Sequence, residues 1–584
     1  MKNPTSSNIV KLLALLLLAL PPLAPLVRGQ TTVTVNSTTV IASATDLGVP
    51  LSKVSFVGAT GTIEVASGAN VLFDSGGASA DNRLAVTANN PASFLLDAGS
   101  TLTISGNVLA TGSGGAIFNG ATRLTLAVSD TVNSWYIFAN NTASTGNGGA
   151  LANAVAAATY TLNNVIFRGN YAAGPSTYNA TTNGGGAIFN GAANGTFNIT
   201  NALFDSNTSA VDGGAFASNA PANNTKLTVT SATFQNNVSN APYTTSNNAG
   251  GGAIYAVAGN ANSGAYSFTN VLFKGNIAAA SGGAIMFQHS STTNLITGTF
   301  TNVLFQSNTA VAGNGGAVSI NFTAVDVHTF NDTSFLDNHA ALNGGALIFS
   351  STVILHVATS ATIAGNTAGN TTTGTGGGDG IFINPTGSPY LSINIDAGAR
   401  LDMLDPVYAS VANTTNIVKT GPGLWNLGGS NTMAPSATGG AGNFIVNAGT
   451  LHLYRAGETS GAYAAAAGSI TLASGLTTGT FALAAPATLS AGGGNTITAP
   501  VINLAASSTI ALDLFGLAPG NAPILTLASP SLNGNGWTQT IDLLNATTLG
   551  ALNTNDTFNL ITLTGTTFSS AKFFTLLDAP DPSL

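Results

Sequence analysis

After residue 30 the chain is written in short runs in which apolar and polar residues alternate, as in "TYTLNNVIF" from Thr159 to Phe167 and "TKLTVTSATF" from Thr225 to Phe234. A period of two puts every second side chain on one face, the pattern of a strand with one side buried. The runs are bounded by Gly, Asn and Ser, which favour turns. Pro is rare inside them, and the helix formers Glu, Lys, Gln and Arg are almost absent. The pattern predicts an all-β protein.

Two words recur at fixed offsets. The first is F-x-x-N, at Phe138, Phe167, Phe204, Phe234, Phe273, Phe305 and Phe335, with an Ile copy at Ile363. The second is G-G-A plus an apolar residue, starting at Gly114, Gly148, Gly185, Gly213, Gly251, Gly282, Gly315 and Gly344, with a degraded copy "GGGDGIF" at Gly376. From Phe to the next G-G-A alanine is 11 or 12 residues in five copies, and from that alanine to the next Phe (or Ile363) is 17 to 22. The smallest unit is thus 28 residues, inside the range of solenoid repeats. Strand patterning excludes a helical solenoid and predicts a right-handed parallel β-helix, with one repeat of 28–39 residues per rung. Stacked rungs place each Phe over the last, which predicts a buried column of Phe167, Phe204, Phe234, Phe273, Phe305 and Phe335. Asn170, Asn207, Asn237, Asn276, Asn308 and Asn338 should form an amide ladder at a turn. Gly-Gly should supply a corner with positive φ, and Ala should fill the narrow core beside it.

Composition sharpens this picture. Only 6% of residues are charged, against about 25% in ordinary globular proteins, while 44% are hydrophobic. The surface must therefore be polar but uncharged, and the chain is too apolar for disorder. A net charge of −8 without a basic cluster after Lys11 argues against nucleic acid as a partner. Cysteine is absent, which excludes disulfides, zinc–thiolate sites and thiol catalysis. At the N-terminus Lys2 and Lys11 precede an apolar run from Leu12 to Leu20, too short to span a bilayer and of the length of an export signal. With Val27 and Gly29 placed for cleavage, residues 1–29 read as a signal peptide, an uncleaved anchor being the alternative.

The paired words F-x-x-N and G-G-A-I resemble the polymorphic outer-membrane protein repeat of autotransporter passengers in Gram-negative bacteria. A second stretch, "IVKTGPGLWNLGGSNT" from Ile417 followed by "VNAGTLHLYRAGE" from Val446, resembles the autotransporter-associated β-strand repeat. Together they imply a secreted or surface-displayed, outer-membrane β-helix, commonly adhesive, without catalytic residues. Such passengers precede a C-terminal barrel, whereas this sequence stops at "DAPDPSL". A translocator supplied elsewhere, or lost by truncation, is then expected. The chain divides into a signal (1–29), N-terminal cap rungs (30–113), F-x-x-N/G-G-A-I rungs (114–383), an autotransporter-associated segment (384–470) and a β-rich end (471–584).

Parallel β-helices also carry polysaccharide lyases and hydrolases, so that class is the alternative. Asp326, His328, Asp332, Asp337 and His339 are its best cluster, but no basic residue lies between Lys274 and Arg400. "GGGDG" is a single irregular copy of a Ca²⁺-binding word, and the Gly-rich corners lack the Lys-Ser/Thr of a phosphate loop. No metal or cofactor is expected. The partner expected is instead a protein or glycan on a host or neighbouring cell. Three repeats lengthen the same segment: the two insertions "GPSTYNATTNG" after Phe167 and "APYTTSNNAG" after Phe234 carry tyrosine, and the degraded copy after Ile363 also runs long. Insertions at one repeat position emerge on one edge of a solenoid, often the binding edge. Tyr178 and Tyr243, beside Pro175 and Pro242, are the expected contacts, bracketing a cleft floored by Asp205 and Asp212.

Overall fold

A computed structural model describes the chain from Val33 to Leu576. It leaves out residues 1–32, 577–584 and short intervening stretches, chiefly 57–60, 77–82, 87–90, 175–183, 219–223, 243–248, 259–263, 290–294, 322–325, 370–378, 385–389, 411–414, 435–441, 473–478, 534–538, 545–557 and 566–573. The signal-peptide reading lies outside the described residues. Among the described residues the fold is an all-β parallel β-helix with two short 3-10 turns, its strands gathered into sheets of 30, 16 and 9 strands and two of two strands.

One rung shows how the sequence turns. The run Thr196–Asp205 is a single long strand bent at Asn201, where φ is 53°. Before the bend Phe197 and Ile199 point inward, and after it Ala202 and Phe204 do. The third residue of F-x-x-N, Ser206, also has positive φ and turns the chain into the short strand Thr208–Ser209. The first glycine of G-G-A, Gly213, makes the next corner with φ 62° and leads into Phe216–Ser218. Asn140, Gly169, Asn236, Gly275, Ser307, Asp337 and Gly365 repeat the Ser206 corner, so the left-handed residue precedes the ladder Asn rather than being it. The second glycine serves close approach: a Cβ on Gly186 would lie 2.0 Å from the carbonyl oxygen of Gly214 in the next rung.

Successive rungs hydrogen-bond in parallel register, with Phe138, Phe167, Phe204, Phe234, Phe273, Phe305 and Phe335 directly opposite one another. All seven rings are buried, and neighbours stack with centroids 4.4–5.0 Å apart and planes within 14° of parallel. The same column runs on as Phe73 and Ile104 above, and as Ile363, Met403, Leu427, Leu453, Ala491, Leu512 and Leu543 below. Strand register is therefore continuous across residues 113, 383 and 470.

Beside this column stand the asparagines. From Asn107 through Asn141, Asn170, Asn207, Asn237, Asn276, Asn308 and Asn338 to Asn366, each Nδ2 donates to the Oδ1 of the next at 2.8–3.1 Å. From Asn141 onward each Nδ2 also donates to the carbonyl of the preceding rung's column residue, as Asn237 does to Phe204 at 3.0 Å. Asn107 was not legible as a ladder member, because its word has Ile104 in place of Phe and also lacks the Ala two residues after Asn that the Ile363 copy keeps. The ladder ends on Asp405, whose Oδ2 accepts from the Asn366 backbone N–H at 2.8 Å and from its Nδ2 at 2.7 Å.

The autotransporter-associated words meet across a rung. Lys419, inside "VKTG", is buried, and its Nζ donates to the carbonyls of Gly421 at 2.9 Å and of Ala448, inside "NAGT", at 2.8 Å. Burial lowers its pKa to about 8.

Replacing Phe273 by Ala should cost about 3–5 kcal/mol. Because rungs touch only their neighbours, the loss should be local. Amide hydrogen exchange should show lost protection from Phe234 to Phe305, while the strand Asn443–Val446 stays protected. Uniform loss along the chain would contradict this. Asn237→Ala would strip partners from the Asn207 amide and the Phe204 carbonyl, at roughly 1–3 kcal/mol per stranded buried group. Denaturant titration should place it among the more damaging single changes.

Candidate functional site

The two insertions leave the solenoid at one place in their rungs. They follow the short strands Tyr171–Ala172 and Val238–Ser239, which flank Thr208–Ser209 in register, and return at the positive-φ corners Gly185 and Gly251. Their bases thus stand on one edge, two rungs apart, or about 10 Å at β spacing. The insertions themselves, with Tyr178 and Tyr243, lie outside the described residues.

Asp212 corrects the expected cleft floor. It is fully buried rather than facing a groove. Its Oδ1 accepts the Gly250 N–H at 2.8 Å, its carbonyl accepts the Gly185 N–H at 3.0 Å, and its Oδ2 has no hydrogen-bond partner. The bases of the first insertion close over this corner: a Cβ on Gly184 would meet Ser209 Oγ, and one on Gly174 would meet Val211. Burial pushes the Asp212 carboxyl up to about 7. Asp205 points the other way, at the outer end of its strand. Arg168 Nε donates to it at 3.0 Å from one side, and Gln235 Nε2 at 3.2 Å from the other. The two acids do not share a groove.

The cluster considered for catalysis is also dispersed. Asp326 is buried and accepts the Ile296 N–H, and His328 is buried against Phe287. Asp332 accepts the N–H groups of Ala358 and Thr359 at a corner. Asp337 accepts from Tyr463 Oη at 2.8 Å, and exposed His339 meets Thr367. Among the described residues no group of His, Asp and Glu could hold a metal ion. Tyr463 belongs to a feature the sequence did not reveal. A hairpin of Thr459–Ser460 and Tyr463–Ala464 is the one antiparallel pair among the described strands. It straps several rungs, with Ser460 and Tyr454 both donating to buried Asp402.

The outward face of the long strands is regular. Its middle column reads Thr38, Thr62, Ser93, Thr125, Thr161, Asn198, Thr228, Ser267, Thr299 and Thr329 in successive rungs. One flanking column carries Asn163, Thr200, Thr230, Thr269 and Thr301, and the other carries Arg123, Thr159, Thr196, Lys226, Ala265 and Thr297. Where Gly264 and Ala265 lack bulk, a hollow of about 420 Å³ opens between Lys226 and Thr297.

Residues 231–257 and 270–288 match the family model described as the Chlamydia polymorphic membrane protein (Chlamydia_PMP) repeat. Over those two segments the chain is similar to that repeat. The matched segments hold the F-x-x-N and G-G-A words of two consecutive rungs, Phe234 to Ala253 and Phe273 to Ala284. The polymorphic membrane protein repeat is one of surface or autotransporter-type proteins. No curated protein and no solved structure matches the chain. Among the described residues no helix is long and apolar enough to cross a membrane.

Asp212 lies in the rung before the matched segments and makes the stability of the chain depend on pH. Its folded pKa is about 7, above the roughly 3.9 of an unfolded Asp. Between these values the native chain keeps a proton that the unfolded chain has released. Its stabilising contribution is therefore complete below about pH 4 and lost as pH rises through about 7. Asp212→Asn should flatten this part of the thermal-unfolding profile and gain on the wild type at pH 8. Parallel profiles for the two chains would contradict the assignment.

Proposed function

We propose that the chain is a secreted or surface-displayed passenger of a Gram-negative-type bacterium, a non-catalytic β-helix that works in adhesion. One observation supports this reading above others: the outer face repeats short uncharged polar side chains rung after rung over an uninterrupted interior of stacked rings and amides. An extended, regular face suits contact with a protein or glycan on a host or neighbouring cell. The acids that a lyase or hydrolase would need to converge are instead separately engaged in buried corners and turns. Export by the N-terminal signal and passage through an outer-membrane translocator complete the reading.

The purified mature chain coated on fluorescent beads should attach them to cell monolayers or to neighbouring bacteria above the level of albumin-coated beads. Absence of attachment on every surface tried would overturn adhesion. Release of reducing ends or unsaturated sugars from polysaccharides by the same preparation would overturn the non-catalytic part.

A further inference from the structure

We infer that the outward face from Arg123 to Thr297 binds a linear acidic polysaccharide lying along the solenoid axis, an inference that rests on the surface-binding reading above. Across six rungs its three columns are built of Thr, Ser, Asn and Ala, and the only charged residues among them are Arg123 and Lys226. Both are exposed and stand in the same column, three rungs apart, about 15 Å at β spacing. Among the described residues neither forms an ion pair. The segments that precede this strand and its next two partners in the sequence, residues 219–224, 259–263 and 290–295, contain no acidic residue. The acid at that corner, Asp326, is buried one rung beyond Thr297 and accepts the Ile296 N–H. Two uncompensated cations in one line, on a chain whose net charge is −8, complement a chain of spaced anions.

The hydroxyls and amides around them supply the other half of glycan recognition. Thr159 and Thr196 stand between the two cations, and the middle column continues the row of donors and acceptors on one side. The hollow over Ala265 gives a ring of the ligand a seat: its volume, about 420 Å³, lies within the range of small-ligand sites. Lys226 borders that seat, so a carboxylate or sulfate on the seated sugar meets its ammonium. The strand period keeps these side chains outward, so they can be changed without touching the core.

The test uses the full mature chain and three acidic polymers, polygalacturonate, hyaluronate and heparin. Each carboxylated polymer is paired with its methyl-esterified form, and heparin with a desulfated form whose carboxylates are also methyl-esterified. At least one acidic polymer should bind, its neutralised partner at least tenfold more weakly. The double variant Arg123→Gln/Lys226→Gln, and separately Ala265→Trp, should each lose at least tenfold in affinity with an unchanged melting temperature. Lys274→Gln, which removes a cation at the F-x-x-N corner instead, should bind as the wild type does. The inference is overturned if no acidic polymer binds, if the double variant binds as well as wild type, or if Lys274→Gln weakens binding equally. Cell attachment that survives in the double variant would sink this ligand assignment and leave adhesion standing, whereas a wild type that attaches to nothing removes adhesion itself.

Discussion

Register between neighbouring rungs is the constraint from which the rest of the molecule follows. Each strand finds its hydrogen-bond partners in the rungs above and below, so a residue that suits one corner is repeated at that corner in the next rung. Phe over Phe keeps the rings parallel at 4.4–5.0 Å. Asn over Asn lets one amide oxygen take both N–H groups of its neighbour, as Asn237 does for Asn207 at 3.1 and 3.0 Å. Every ladder amide is thus paired without water, which is what a buried amide requires. A ladder must also end, and the Asp405 carboxylate receives the last donors that no further Asn can take.

The same constraint explains why so few residues are charged. A column of one charged residue would put like charges about 5 Å apart, a repulsion of about 3 kcal/mol per pair at an effective dielectric near 20. Thr, Ser and Asn repeat without that cost and can bond one another. Where charges do enter a column they alternate or are spaced: Ala139, Arg168, Asp205, Gln235, Lys274 and Gln306 follow one another at the F-x-x-N corner. Arg168 and Asp205 form an ion pair there, and neutral Gln235 separates Asp205 from Lys274. Arg123 and Lys226 are three rungs apart, beyond the Debye length of about 8–10 Å. Two like charges therefore coexist on a face that would not tolerate them as neighbours.

What the sequence showed were the positions that repeat. Phe204, Asn207 and Gly213 could be placed because seven other rungs carry the same words at nearly the same spacing. Positions that occur once left no such trace. Asp212 looks like a surface acid in "VDGG", yet it is buried at a corner where Gly184 approaches its carbonyl and the Gly250 N–H meets its carboxylate. Asp402 and Ser460 are 58 residues apart and meet because a hairpin folds back across rungs. Asn107 lay between these cases, since its spacing is regular but its word begins with Ile104.

The sequence by itself determined the period, the strand type and the identity of the interior columns, because alternation of two and recurrence every rung are local properties of the chain. Only the tertiary structure decided which outward residues share a face and which polar groups are hidden. Those depend on register across 24 to 42 residues of chain, as in Asn426 with Asp402 and Asn276 with Phe234. Insertions and turns of unequal length change that separation from rung to rung. Arg123 and Lys226 are far apart as letters, yet the uneven rungs between them add up to one straight column.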